Sequence, residues 1–543
     1  MTPLRRSGHH FRASAPALLV ALAAALQAVQ ALSPAPIGAE EAVLARYRHL
    51  LEDAGFPEND ESRRLLSNAV AAPAYSAIET PFRIVRQLSD GRLVQFEARR
   101  AAREWYLIFR NQRGREPRET YPIWGRGTWI IKKDLLTGEF LQAKIFLQDD
   151  EDSFVRLFPT ADGRTRLDVH LYGRRLGEDV VIPVPFETLI LSPFARIAAL
   201  TDRSVPWETL FPDPDAFGYR LVEDMALDLG LLPGDGRERA PYPDLIVEVD
   251  DSAVDRGGRN VYIEDGRPLA VGDAASDGGV LQAGQTGMNC SGYVKWVAEG
   301  LYAAWAGEPG EMNLDIAPLR EPTGRHRSNP WSESRAAVGE DARRNLDSLL
   351  RDPYFGLDWN RNLARNVEEA RLGRRLGPEE KAALDTGELP GVPFRTEMGY
   401  ELSDLDTALY QLAAERPGAV YLAAVNSRFE PEPDAQDPDP LPLHQYWHVS
   451  VLAPWFDDGA EGGERGRFRV AVLDVGDVSE SLLRRPGFEG EPRFTASIRA
   501  KASRYARLGL DDHGNELVPE VLVHLVRVDV SRDFEPAPLP EVR

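Results

Sequence analysis

One cysteine stands in the 543 residues, Cys290, within Gly287-Met288-Asn289-Cys290-Ser291-Gly292-Tyr293-Val294-Lys295-Trp296. It falls where a Gly-rich approach, from Gly278-Gly279 through Gly284 to Gly287, turns into an amphipathic helix. Tyr293, Val297 and Leu301 lie four apart with Val294 beside them, which buries one face. Asn289 is a good N-cap for that helix. A thiol at a helix N-terminus sits at the positive end of the macrodipole, a setting that suits a nucleophilic cysteine. Such a nucleophile needs a base within hydrogen-bond reach and a third group to orient the base. Ser291 and Gly292 are small, so a substrate can come close to the thiol.

Nine histidines are candidates for the base. His9 and His10 belong to the leading segment, His49 to a helical stretch, His170 to the polar face of a strand and His326 to a charged, proline-rich region. His513 follows Asp511-Asp512 in a turn, and His524 sits inside a Val/Leu run. His444 and His448 remain, beside the apolar strand Tyr446 to Leu452. On one extended strand they would stand about 13 Å apart, too far to share a metal. His-Glu-x-x-His and paired-cysteine spacings are missing too, so no metal site is expected. For the third group, Asp474 ends the strand Phe468 to Leu473 on the same parity as Phe468, Val470 and Val472. An acid on a buried face usually has a partner. Asp477 is the alternative, and a turn cap with Gly476 the plainer use of Asp474.

These residues need a scaffold, and 543 residues allow roughly two to four domains. Residues 32–75 form a helical lead-in, with helical periodicity over 39–72 through Val43, Leu44, Tyr47, Leu50 and Leu51 and then Glu61 to Ala71. A β-rich domain is expected over 76–211, where from about Phe82 to Leu200 the period changes to two. Phe82 to Val85 and Leu93 to Phe96 flank the hairpin signal Ser89-Asp90-Gly91. Strands are expected at Trp105–Phe109, Thr128–Ile131, Phe140–Leu147, Phe154–Phe158 and Thr165–Leu171. Trp105, Tyr106, Trp124 and Trp129 serve the core of that β-rich domain rather than a saccharide groove. Two Pro/Asp/Gly runs bracket a short helical segment, so 212–240 is expected as a linker. The last domain, 241–543, opens with a strand at Leu245–Val249. Residues 306–400 have the character of an insertion, with helices at Glu340–Leu350 and Asn360–Leu376 and a solvated Arg-rich face. Beyond it come a helix at Ser403–Ala414, a strand at Ala419–Val425, a loop at Glu430–Pro442, and strands Tyr446–Leu452, Phe468–Val475 and Val521–Val530.

A net charge of −22 and a pI near 5.0 argue against nucleic-acid binding, which needs a basic face. Arg5, Arg6 and Arg12 precede an apolar Ala15 to Ala31, which ends in small residues. Residues 1–31 are therefore expected to be an export signal, and an uncleaved anchor is the competing use of the same features. Cleavage removes three arginines and no acid, taking the charge to −25. Export leads to the periplasm or the exterior, with no stable membrane insertion afterwards. An exported chain with one cysteine cannot form an internal disulfide, which favours a chemical role for Cys290.

Asn289-Cys290-Ser291-Gly292-Tyr293-Val294 resembles the Asp-Cys-Ser-Gly-aromatic-Val signature of the NlpC-type cell-wall cysteine peptidases, a papain-like group. Pro417-Gly418-Ala419-Val420 is similar to that family's Pro-Gly-Asp strand opening, and His448-Val449-Ser450-Val451 to its His-Val-Gly-Ile strand. The resemblance implies an α+β fold: a papain-like domain with an antiparallel sheet and an N-terminal nucleophile helix, here preceded by a mostly-β domain. It implies Cys290 as nucleophile, His448 as base and Asp474 as orienter. Gln285 and Ser291 would serve the oxyanion and the substrate. The implied activity is cleavage of peptidoglycan stem peptides or another envelope polymer, with no cofactor. Asn289 and Ala419 each replace an Asp of the pattern, and the aromatic approach before the cysteine is missing. Two other functions therefore stand beside peptide cleavage: an inactive envelope-binding protein on the same fold, and another thiol amidase or acyltransferase.

Overall fold

The computed structural model of the chain describes residues 37–538 apart from 112–122, all but four short strands of 230–285, 307, 309–310, 324–353, 430–442, 461–464, 476, 480–492 and 506–519. The expected signal segment, Gln285, His326, the helix expected at 340–350 and the acidic run 430–442 lie outside the described residues. The architecture is mixed α+β, and its two large sheets, of nine and seven strands among the described residues, are antiparallel.

Helices α1 (Ile37–Asp53) and α2 (Asp60–Leu65) lead into an antiparallel meander. Its strands are β1 (Phe82–Arg86), β2 (Leu93–Arg100), β3 (Glu104–Asn111), β4 (Trp129–Asp134), β5 (Phe140–Phe146), β6 (Phe154–Pro159), β7 (Thr165–Leu171) and β8 (Arg174–Arg175). A ninth, β9 (Val180–Ile182), pairs back onto β7. The two-residue period does what it predicts: Trp129, Ile131 and Lys133 of β4 are buried, while their neighbours are half-buried. The buried Lys133 ammonium donates to the carbonyls of Val70 and Ala72, at 3.1 and 2.8 Å. Trp105 and Trp129 are fully buried, as core residues. His170 departs from expectation. It pairs directly with Phe154 across β6 and β7, and its ring stacks on that phenyl at 4.8 Å, so it is largely covered rather than solvated.

In the second half, β10 (Ile246–Glu248) runs parallel to β11 (Thr286–Met288), which leads into α5 (Cys290–Ala303). The second sheet has the order β12 (Phe394–Arg395), β13 (Gly399–Glu401), β18 (Val521–Asp529), β14 (Ala419–Phe429), β15 (Leu443–Phe456), β16 (Phe468–Asp474) and β17 (Asp477–Ser479). The glycine of Pro417-Gly418 has φ +92°, and Gly218 packs so near that an added Cβ there would stand 2.4 Å from the Pro417 carbonyl.

Two stretches are more central than their composition suggests. Within 306–400, α6 (Phe355–Leu372) buries Leu357, Trp359, Leu363 and Val367 against α5 and the sheet, so this helix belongs to the core. One of its arginines is paired in the interior: Arg361 is buried and grips Asp385 through two hydrogen bonds of 3.1 and 2.7 Å. Within 212–240, α4 (Phe217–Asp228) buries Tyr219, Val222 and Met225, and the Tyr219 hydroxyl donates to the Ala413 carbonyl at 2.9 Å. That helix is therefore a packed element and no spacer.

The sheets share one hydrophobic core, and polar ties cross between them. Arg126, beside the first sheet, donates to the carbonyls of Ala54 (3.0 Å), Leu147 (3.2 Å) and, near the second sheet, Arg465 (2.5 Å). Thr407 of α7 (Leu405–Glu415) donates to the Leu171 carbonyl at 2.9 Å. Replacing Arg126 by Met keeps most of the volume but leaves those buried carbonyls unsatisfied. We expect a loss of about 2–4 kcal/mol in denaturant titrations, with both halves unfolding in a single transition. Two separated transitions would show instead that the halves are thermodynamically independent.

Candidate active site

The site begins with the cap of α5. Asn289 adopts an extended conformation, φ −88° and ψ 171°, and its side chain accepts a 2.7 Å hydrogen bond from the Gly292 amide. The preceding strand β11 and this cap fix where the helix starts, and so where Cys290 projects. Cys290 is free and half-buried. The helix behind it is almost wholly buried, including Tyr293, Val294 and Trp296. Its Lys295 and Glu299 form a buried pair, and Glu299 also accepts from the Asn313 and Leu314 amides at 2.7 and 2.8 Å. Ser291 is 5% exposed, and its carbonyl accepts from the Trp359 indole at 3.0 Å, so α6 braces the first turn.

His448 projects from β15 and Asp474 from the end of β16. They meet at 2.8 Å between imidazole Nε2 and Oδ1, and the two residues are 3% and 2% exposed. The register that sets Leu473 opposite Val451 puts both side chains on one face of the sheet. Burial by itself would lower the imidazole pKa. The Asp474 charge and hydrogen bond, with hydrogen bonding and charge from Cys290, outweigh it and raise the pKa to about 10. Burial likewise opposes ionisation of Asp474, but His448 and Lys501 together hold its carboxyl below the usual value. Lys501 reaches Oδ2 at 3.7 Å from α8 (Arg493–Tyr505), and the Val475 amide donates to Oδ1 at 3.1 Å. With Nε2 engaged by Asp474, Nδ1 is the ring nitrogen left for the thiol.

Cys290, His448 and Asp474 are thus brought together. Lys501 and Trp359 are the neighbours that motif reasoning passed over. A stripe of Phe494, Ile498 and Ala502, all buried, marks α8 as a packed helix with Lys501 beside the stripe, and that spacing was the available signal. His524, set aside as a strand residue, is buried 3.6 Å from Asp385. Among the described residues no cluster of His, Cys, Asp and Glu has metal-binding geometry, and no helix is long and apolar enough to cross a membrane.

The raised imidazole pKa ties the stability of the fold to pH. Its contribution to stability is complete below about pH 6.5, the unfolded value, and is lost as pH rises through about 10. The lowered Asp474 pKa contributes above its ordinary value and is lost on acidification. Asp474→Asn should therefore be most destabilising between about pH 5 and 6.5, with the gap to wild type narrowing as pH rises toward 10. Thermal unfolding across that range reads it. A gap independent of pH would mean that the pair is not ionised.

The Domain of unknown function (DUF8515) matches residues 52–209, from the end of α1 through the first sheet. Cys290, His448 and Asp474 all lie beyond that match. No curated protein and no solved structure matches the chain.

Proposed function

We propose that the chain is an exported cysteine hydrolase that cleaves peptidoglycan stem peptides, using a papain-like arrangement of Cys290, His448 and Asp474. The observation that carries this reading is the buried 2.8 Å His448–Asp474 pair with Cys290 acting on the same ring from the head of a capped helix. The chain order of nucleophile helix, histidine strand and acid strand in one antiparallel sheet supports the papain-like assignment. The basic and apolar leader supports export.

In this reading the Cys290 sulfur attacks the peptide carbonyl as a thiolate, with its proton held on His448. The Cys290 amide, at the start of the helix, has no intrahelical acceptor and is free to meet the oxyanion. Collapse of the tetrahedral intermediate breaks the C–N bond, and His448 gives its proton to the departing amine. A water then attacks the thioester, its proton returning through His448, and releases the acid. Asp474 keeps the ring oriented throughout and stabilises it whenever it carries the proton.

Purified peptidoglycan incubated with mature protein should gain new amine termini with wild type and none with Cys290→Ala or His448→Ala. Asp474→Ala should retain roughly 100-fold more activity than Cys290→Ala, because an orienting acid matters less than nucleophile or base. Equal release from Cys290→Ala would remove the thiol from the reaction. Release from no variant, wild type included, would favour the envelope-binding alternative.

A further inference from the structure

On the flank of α6 lies a cavity of about 340 Å³ lined by Pro322, Thr323, Arg361, Asn362, Arg365, Pro378, Lys381 and Leu384. Three of these residues are cationic and none is acidic. The polar groups of its inner wall are already committed. Arg361 donates through Nε and Nη2 to Asp385, and through Nη1 to the Thr323 hydroxyl at 3.3 Å. The Thr323 hydroxyl in turn donates to Asp358 at 2.8 Å. Asn362 Nδ2 donates to the carbonyls of Leu319 and Glu321, at 2.9 and 2.8 Å, pinning that wall to the helix. Arg365 and Lys381 are different: both are half-buried in the lining, and among the described residues neither meets a carboxylate or another hydrogen-bond partner.

Two unpaired cations facing one cavity, beside a third whose charge is neutralised, repel each other unless an anion joins them. Arg365 offers a planar fork of N–H donors, which matches the two oxygens of a carboxylate or phosphate, and Lys381 adds a point charge. Pro322, Pro378 and Leu384 supply apolar wall for a carbon body. A volume of about 340 Å³ exceeds a bare oxyanion and falls at the small end of ligand pockets. Arg361 and Trp359 lie two residues apart on α6, about 200° around the helix. The cavity therefore opens on a different side from the indole that braces Cys290, and the site is separate from the thiol.

We propose that this cavity is a binding site for a small organic oxyanion, held by Arg365 and Lys381 with Arg361 fixing the wall behind them. It is independent of the reaction at Cys290.

The test titrates the protein with inorganic phosphate and, separately, with succinate, at ionic strength held constant with sodium chloride, by calorimetry and thermal unfolding. Saturable binding of at least one probe is expected, weakened at least ten-fold in Arg365→Gln/Lys381→Gln. Phosphate alone would mark the ligand as phosphorylated, while succinate, alone or with phosphate, would mark it as a carboxylate. Without either probe the double variant should unfold no lower than wild type, since it removes only repulsion. Binding of neither probe, or equal binding by the double variant, would overturn the proposal. Because the readout is binding, it stands whether or not Cys290 proves to be a nucleophile.

Discussion

A carboxylate and an imidazole, both almost fully removed from water, meet at 2.8 Å, and much of the second half of the chain is arranged so that they can. Burying a charged pair is costly unless the geometry is good and the remaining polar atoms are satisfied. Here the carboxylate has imidazole Nε2 and the Val475 amide on Oδ1, with Lys501 near Oδ2. The register between β15 and β16 is equally constrained. A slip of one residue would turn Asp474 to the opposite face and leave His448 buried without its acid. This is why the pair specifies the sheet as well as a chemistry.

Helix α5, which carries Cys290, depends on more distant support. Trp359 holds the carbonyl of Ser291 from α6, and Trp296 donates its indole N–H to the Ala537 carbonyl at 2.8 Å. Gly300 lets the C-terminal segment lie directly on α5: an added Cβ there would meet the Phe534 ring at 2.8 Å and Pro536 Cα at 3.0 Å. Segments near 290, 360 and 535 thus converge on one helix, clamping the first turn from which Cys290 projects. The meander of the first half joins through Arg126 and Thr407, so the site rests on both sheets.

Where local period and local chemistry agree, the elements could be read from the chain. The strands of the meander, the capped start at Asn289 and the parity of Asp474 are of this kind, because each depends on neighbours within a few residues. What could not be read depends on distant partners. Helix α6 carries so many Arg, Asn and Glu residues that its composition suggests solvent, yet Arg361 finds Asp385 and Asn362 finds two loop carbonyls. His170 alternates with apolar neighbours as a surface residue would, but strand pairing places Phe154 under it. Lys501 lies 27 residues beyond Asp474, and only the packing of α8 brings the two together.

The most direct test of the proposed thiol chemistry is a search for a covalent intermediate. Mature protein mixed with a soluble stem-peptide fragment and quenched in acid within milliseconds should show, by intact mass and peptide mapping, an acyl group on Cys290. It should accumulate when His448 is replaced only as far as the residual thiolate allows. An acyl group on another residue, or fragment cleaved by wild type with no adduct at Cys290 under single-turnover conditions, would contradict a thiol nucleophile at the head of this helix.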